Sequence, residues 1–142
     1  MLTKQWLLGL SLVGALSLSS GSHAADSKKV DMSKVPPAST KKGVTYDADI
    51  KPLIEKSCLK CHSGDKPTGK YRVETLAGLI KGGESGDPAV IPGLSDKSPI
   101  VHYTSNAVEE MEMPPLEKRD RFPALTKEQI GLLRAWIDQG AK

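Results

Sequence analysis

Cys58-Leu59-Lys60-Cys61-His62 contains both cysteines of the chain, and the reading of these five residues decides the fold. Their spacing is C-x-x-C-H, the attachment signature of a c-type haem. On a helical turn, side chains three apart share a face, so two thiols can reach the two vinyl groups of one porphyrin. The histidine that follows is then held beneath the ring, where its imidazole binds the iron from the proximal side. The rival readings are weaker. A disulfide across two intervening residues closes a tiny loop and adds little stability. A zinc site wants two further ligands, and outside the motif the only histidines are His23 and His102. A thioredoxin-like dithiol normally follows a strand in a βαβ context, whereas the sequence around Cys58 reads as helix and loop.

Moving outward, the question is the second axial ligand. Methionine and histidine are the usual choices in electron carriers, and after the initiator the chain offers Met32, Met111, Met113 and His102. Met32 lies in a polar stretch near the N-terminus. Met113 precedes Pro114-Pro115, whose fixed φ angles and missing N–H groups hold an extended loop that can press a thioether onto the iron. Met113 is therefore the distal candidate, with Met111 and His102 as alternatives. Ligation through His102 would lower the reduction potential.

The flanks read as helix. Tyr46, Ile50, Leu53 and Ile54 recur at helical spacing, with Asp49 as a cap and Pro52 in the first turn, and this helix runs into the Cys58 turn. At the other end Thr126 and Gln129 fit a capping box, and Leu125 and Ile130 fit a hydrophobic staple. Ile130, Leu133, Trp136 and Ile137 form the apolar stripe of that helix, and Gly140 ends it. Between them, Thr75 to Lys81 reads as a short helix stopped by Gly82-Gly83, and Ser98-Pro99 opens another through about Tyr103. No stretch alternates convincingly as a strand, although Tyr71-Arg72-Val73 reads as a short extended segment. The glycine- and proline-rich loops from 82 to 93 lack the Gly-Lys-Ser/Thr of a phosphate loop and are suited to lying flat against a porphyrin. The fold class is all-α: about four short helices and loops around one covalently bound haem.

Composition agrees with this reading. The 142 residues leave room for one domain, and one Phe, three Tyr and two Trp are thin material for a small core. Something besides side chains fills the interior. At the N-terminus, Lys4 precedes the apolar run Trp6 to Leu18, and Ser22 and Ala24 occupy the −3 and −1 places of a cleavage site. Residues 1–24 are expected to be a signal peptide cleaved after Ala24, which places the protein in the periplasm. Residues 25–44 lack either hydrophobic period, contain Pro36-Pro37 and five lysines, and read as a flexible polar tether. Residues 45–142, the haem domain, hold 14 Lys/Arg and 15 Asp/Glu, which gives no support to nucleic-acid binding. The tether lysines are left for weak contact with an anionic membrane surface or a partner.

With these residues in view, the sequence resembles the planctomycete-type branch of class I c-type cytochromes. The resemblance rests on Tyr46, Ile50-Lys51-Pro52-Leu53-Ile54, Cys58-x-x-Cys61-His62, Lys81-Gly82-Gly83-Glu84-Ser85-Gly86, Val90-Ile91-Pro92-Gly93, Met113-Pro114-Pro115 and Trp136-Ile137-Asp138-x-Gly140-Ala141. It implies a cytochrome c fold, haem c, His62 and Met113 as axial ligands, and electron transfer as the activity. Ser63 stands where that family often has glycine, and Glu112 where a basic residue often precedes the ligand methionine.

The leading functional reading is a monomeric one-electron carrier between redox proteins, and not an enzyme. Methionine sulfur raises the potential, and Glu109, Glu110 and Glu112 lower it. Lys70 and Arg72 are candidate partners for the haem propionates. The alternative is a haem enzyme or gas sensor with an open or His-ligated sixth site.

Overall fold

The computed structural model describes residues 28–142, so the expected signal peptide, residues 1–24, lies outside the described residues. Among the described residues there are four α-helices and no strand: α1 (Lys51–Ser57), α2 (Leu76–Lys81), α3 (Pro99–Thr104) and α4 (Lys127–Asp138). Short 3-10 turns and loops join them. None of these helices is long and apolar enough to cross a membrane. The all-α expectation holds.

The helix starts follow from local chemistry. Pro52 sits in the first turn of α1, where its absent N–H leaves no bond unmade. Tyr46–Ile50, expected as the start of that same helix, instead forms one π turn leading into α1. Asp49 does not cap α1: its Oδ2 accepts the Thr45 N–H at 2.9 Å and its Oδ1 receives the Lys41 ammonium. The Thr75 side chain caps α2 by accepting from the Gly78 N–H at 3.1 Å. At α4 both halves of the capping box form, Gln129 N–H to Thr126 Oγ1 and Thr126 N–H to Gln129 Oε1. Ser98 precedes α3 as expected, but its hydroxyl gives no cap. It accepts the Ile91 N–H at 2.9 Å and donates to Leu94 O at 3.0 Å, tying the preceding loop to itself.

The core gathers α4 against the 46–50 turn and α3, and α1 packs on that same turn. Ile50, Leu79, Val90, Val101, Trp136 and Ile137 are fully buried. Trp136 packs on Tyr46 with ring centroids 5.9 Å apart, and its Nε1–H donates to Lys142 O at 2.9 Å.

The described part of the 25–44 segment corrects the expectation of a free tether. Residues 28–44 lie along the domain as a strap. Val44 is buried and Val35 packs against the core. The Ser39 N–H donates to Gly131 O at 2.8 Å, and Arg134 on α4 donates to Pro36 O. Gly131 makes the close approach necessary, since a methyl there would sit 2.9 Å from Pro37 O. The strap is held mainly through its backbone, which is why its sequence shows no hydrophobic period. The folded unit thus begins at least as early as Lys28 rather than at residue 45.

Candidate functional site

A cavity of about 450 Å³ opens between the Cys58 turn, α2, α3 and the loops after Lys81 and Val108. Cys58, Cys61, His62, Met111 and Met113 all line it. Leu79, Ile100, Pro114 and Phe122 are among its apolar walls.

The motif reaches the cavity because α1 ends in a tight turn. Cys58 N–H bonds Ile54 O at 2.8 Å, and the N–H groups of Cys61 and His62 both donate to Cys58 O, at 3.2 and 3.1 Å. That turn brings two sulfurs and an imidazole to one wall, as the spacing predicts. Both cysteines are free thiols. Burial, with a smaller contribution from Cys61, pushes the Cys58 thiol up to about 12. Reactive dithiols depend on a thiol pKa that is lowered. The direction of that shift gives no support to a thioredoxin-like dithiol.

His62 is held from three sides by residues 68–73. Its Nδ1 lies 3.1 Å from Thr68 O, so with Nδ1 as the donor the Nε2 lone pair is left for a metal. Its carbonyl accepts the Val73 N–H at 2.9 Å, and its ring meets Tyr71 edge-on, centroids 5.2 Å apart and planes at 62°. Burial lowers the His62 pKa, against smaller opposing effects from the Thr68 and Tyr71 backbone, which favours the neutral imidazole a metal needs. Thr68 O points back at His62 because Gly69 and Lys70 both adopt left-handed backbone, at φ 61° and 53°. Tyr71 is fixed in turn by its hydroxyl, which donates to Leu79 O at 2.8 Å. Sequence reading found none of this. It placed Tyr71 in a short extended segment, and a main-chain carbonyl leaves no residue signature beyond the glycine at 69.

Elsewhere in the lining, Met113 N–H donates to Tyr103 O of α3 at 3.0 Å, and Met111 N–H to Val108 O at 3.2 Å. Both methionines face the cavity's residues, whereas His102 does not line it. The His102 Nε2 lies 2.7 Å from Asp96 O. The candidate propionate partners also change: Lys70 and Arg72 do not line the cavity, and Arg72 faces Glu74 at 3.5 Å. Lys118 lines it, as do Glu84 and Asp87.

The donor set fits one group. Two thiols, an imidazole oriented by a carbonyl, and thioethers lining the same cavity are the side chains that a haem attached through sulfur needs. The family described as planctomycete cytochrome C matches residues 58–117, from the first cysteine past Pro115. That likeness is consistent with a planctomycete-type cytochrome c domain. Comparison with curated proteins and with solved structures gives no match. The family that this stretch resembles implies haem c as a cofactor. The matched stretch contains the motif, α2, α3 and both methionines, but neither α1 nor α4.

Proposed function

We propose that this protein is a periplasmic one-electron carrier, with haem c bound through Cys58 and Cys61 and ligated by His62 and Met113. The observation that supports the reading is that one cavity is lined both by a histidine whose Nδ1 faces Thr68 O and by a methionine loop tied to α3. Haem held by these residues would supply one-electron chemistry between ferric and ferrous states.

The residues of the chain then have distinct tasks. Cys58 and Cys61 fix the group covalently, so it stays in place whichever state it is in. His62 keeps its imidazole plane because Thr68 O and Tyr71 hold it. The Tyr103 carbonyl fixes the main chain at Met113, and Pro114 and Pro115, which follow it on the cavity wall, stiffen the approach of the thioether. Lys118 on the rim is placed to meet a carboxylate of the group. The partners are a donor and an acceptor protein, reached by a monomer. Contact of the strap lysines with an anionic membrane surface draws less support, because Lys28 pairs with Glu110 and Lys41 with Asp49.

The experiment is an optical spectrum of the ferric protein. A far-red band from methionine sulfur to iron is expected in the parent and in Met111→Ala, and is lost in Met113→Ala. Loss in Met111→Ala instead would reassign the ligand, and absence from the parent would overturn methionine ligation.

A further inference from the structure

The loop from Ala107 to Pro115 carries both methionines yet forms no helix or strand of its own. Glu110 within it has left-handed backbone at φ 62°, and Glu109 and Glu110 are exposed. Two sets of bonds hold it in place. From the domain side, Arg119 donates its Nε to Pro114 O at 3.0 Å and its Nη2 to Asn106 Oδ1 at 2.6 Å, closing the loop across its base.

From the other side comes the strap. The Asp31 N–H donates to Ala107 O at 2.7 Å. Lys28 Nζ lies 2.9 Å from Glu110 Oε2 and 3.4 Å from Glu109 O. The strap is itself anchored. Asp31 Oδ1 accepts from the Ser33 N–H at 3.1 Å and the Ser33 hydroxyl at 2.6 Å, while Arg134 and Gly131 of α4 bind Pro36 O and the Ser39 N–H. The ligand loop is therefore tied, through residues 28–39, to the most deeply buried helix of the domain.

We propose that Lys28 and Asp31 are positioning residues for the distal ligand: the strap holds the methionine loop down, and so limits how readily an outside ligand displaces the thioether. This rests on the reading of methionine on the iron. A main-chain hydrogen bond and an exposed ion pair together are worth about tenfold in such an equilibrium. The ion-pair share is screened by salt and the main-chain share is not.

The test is an imidazole titration of the ferric holoprotein, followed by loss of the far-red band. The double variant Lys28→Ala/Asp31→Pro removes the cation, the N–H and the Asp31 carboxylate that Ser33 bonds, so it releases the strap from the loop at every point named, and proline is compatible with φ −88° at residue 31. Its imidazole affinity is expected to rise about tenfold, whereas Lys28→Arg/Asp31→Asn, which keeps both donors, behaves as the parent. A strap that only stabilises the fold lowers Tm and leaves imidazole affinity alone, and that result overturns the proposal. If the double variant fails to accumulate, the exposed Lys28→Ala decides: a rise of about twofold that disappears at high salt supports the strap, and no rise overturns it. A parent protein without the far-red band overturns methionine ligation, and the strap's role with it. A parent band with unchanged imidazole affinity in the double variant overturns the strap alone.

Discussion

Replacing Tyr71 with phenylalanine separates the two things this residue does. Its hydroxyl donates to Leu79 O, a carbonyl in the last turn of α2, where helix geometry supplies no internal donor. Burial raises the Tyr71 pKa, so the hydroxyl remains a donor at any working pH. Tyr71→Phe leaves the ring in place and the Leu79 carbonyl without its partner. Leaving a part-buried acceptor unmade costs about 1.5 kcal/mol. At about 2 cal/mol/K of unfolding entropy per residue, a domain of this size then loses about 6 °C in Tm. The edge-on contact with His62 survives, so the far-red band and the reduction potential should stay at their parent values. Tyr71→Leu removes ring and hydroxyl together, and here the potential should shift as well, because nothing then fixes the imidazole edge. Thermal unfolding of the holoprotein and a redox titration of each variant provide the comparison. An unchanged Tm in Tyr71→Phe, or equal potentials in all three proteins, would refute the division of roles.

Gly83→Ala is expected to destabilise by about 1–3 kcal/mol, because the new methyl would overlap Gly69 O and lie 3.1 Å from Tyr71 Cβ. Denaturant unfolding measures this, and the loss should be accompanied by a changed His62 environment, since Gly69 follows the carbonyl that orients it. Asp49 gives a pH prediction. Its carboxyl is held below the ordinary value of 3.8, first by the hydrogen bond from Lys41 and then by that from the Thr45 N–H. A depressed folded pKa means the unfolded chain binds the proton first, so this contribution is present above about pH 4 and is lost as the pH falls below it. Asp49→Asn should flatten the acid limb of the stability profile, and an unaltered limb would show that the carboxylate is not specifically held.

Much of the site could be read from the chain because its chemistry lies in side chains at fixed spacing. Cys58, Cys61 and His62 converge because a single turn with Cys58 O as acceptor suffices. Thr126 and Gln129 formed their box because capping is local, whereas Asp49 and Ser98 were drawn away from capping by tertiary partners, Lys41 with Thr45 and Ile91 with Leu94. What escaped was carried by the main chain. Thr68 O, the left-handed Lys70 and the strap along α4 depend on backbone positions that composition and periodicity do not report. Where the His102 ring lies also needed tertiary information, because only the folded chain shows its Nε2 beside Asp96 O.

The central claim is covalent haem on Cys58 and Cys61. An intact-mass measurement of the purified protein, made after denaturation and acid extraction, tests it directly. The account predicts a coloured protein heavier than its processed polypeptide by one haem, with the added mass surviving extraction. A folded, colourless protein whose mass equals that of the polypeptide alone would contradict it.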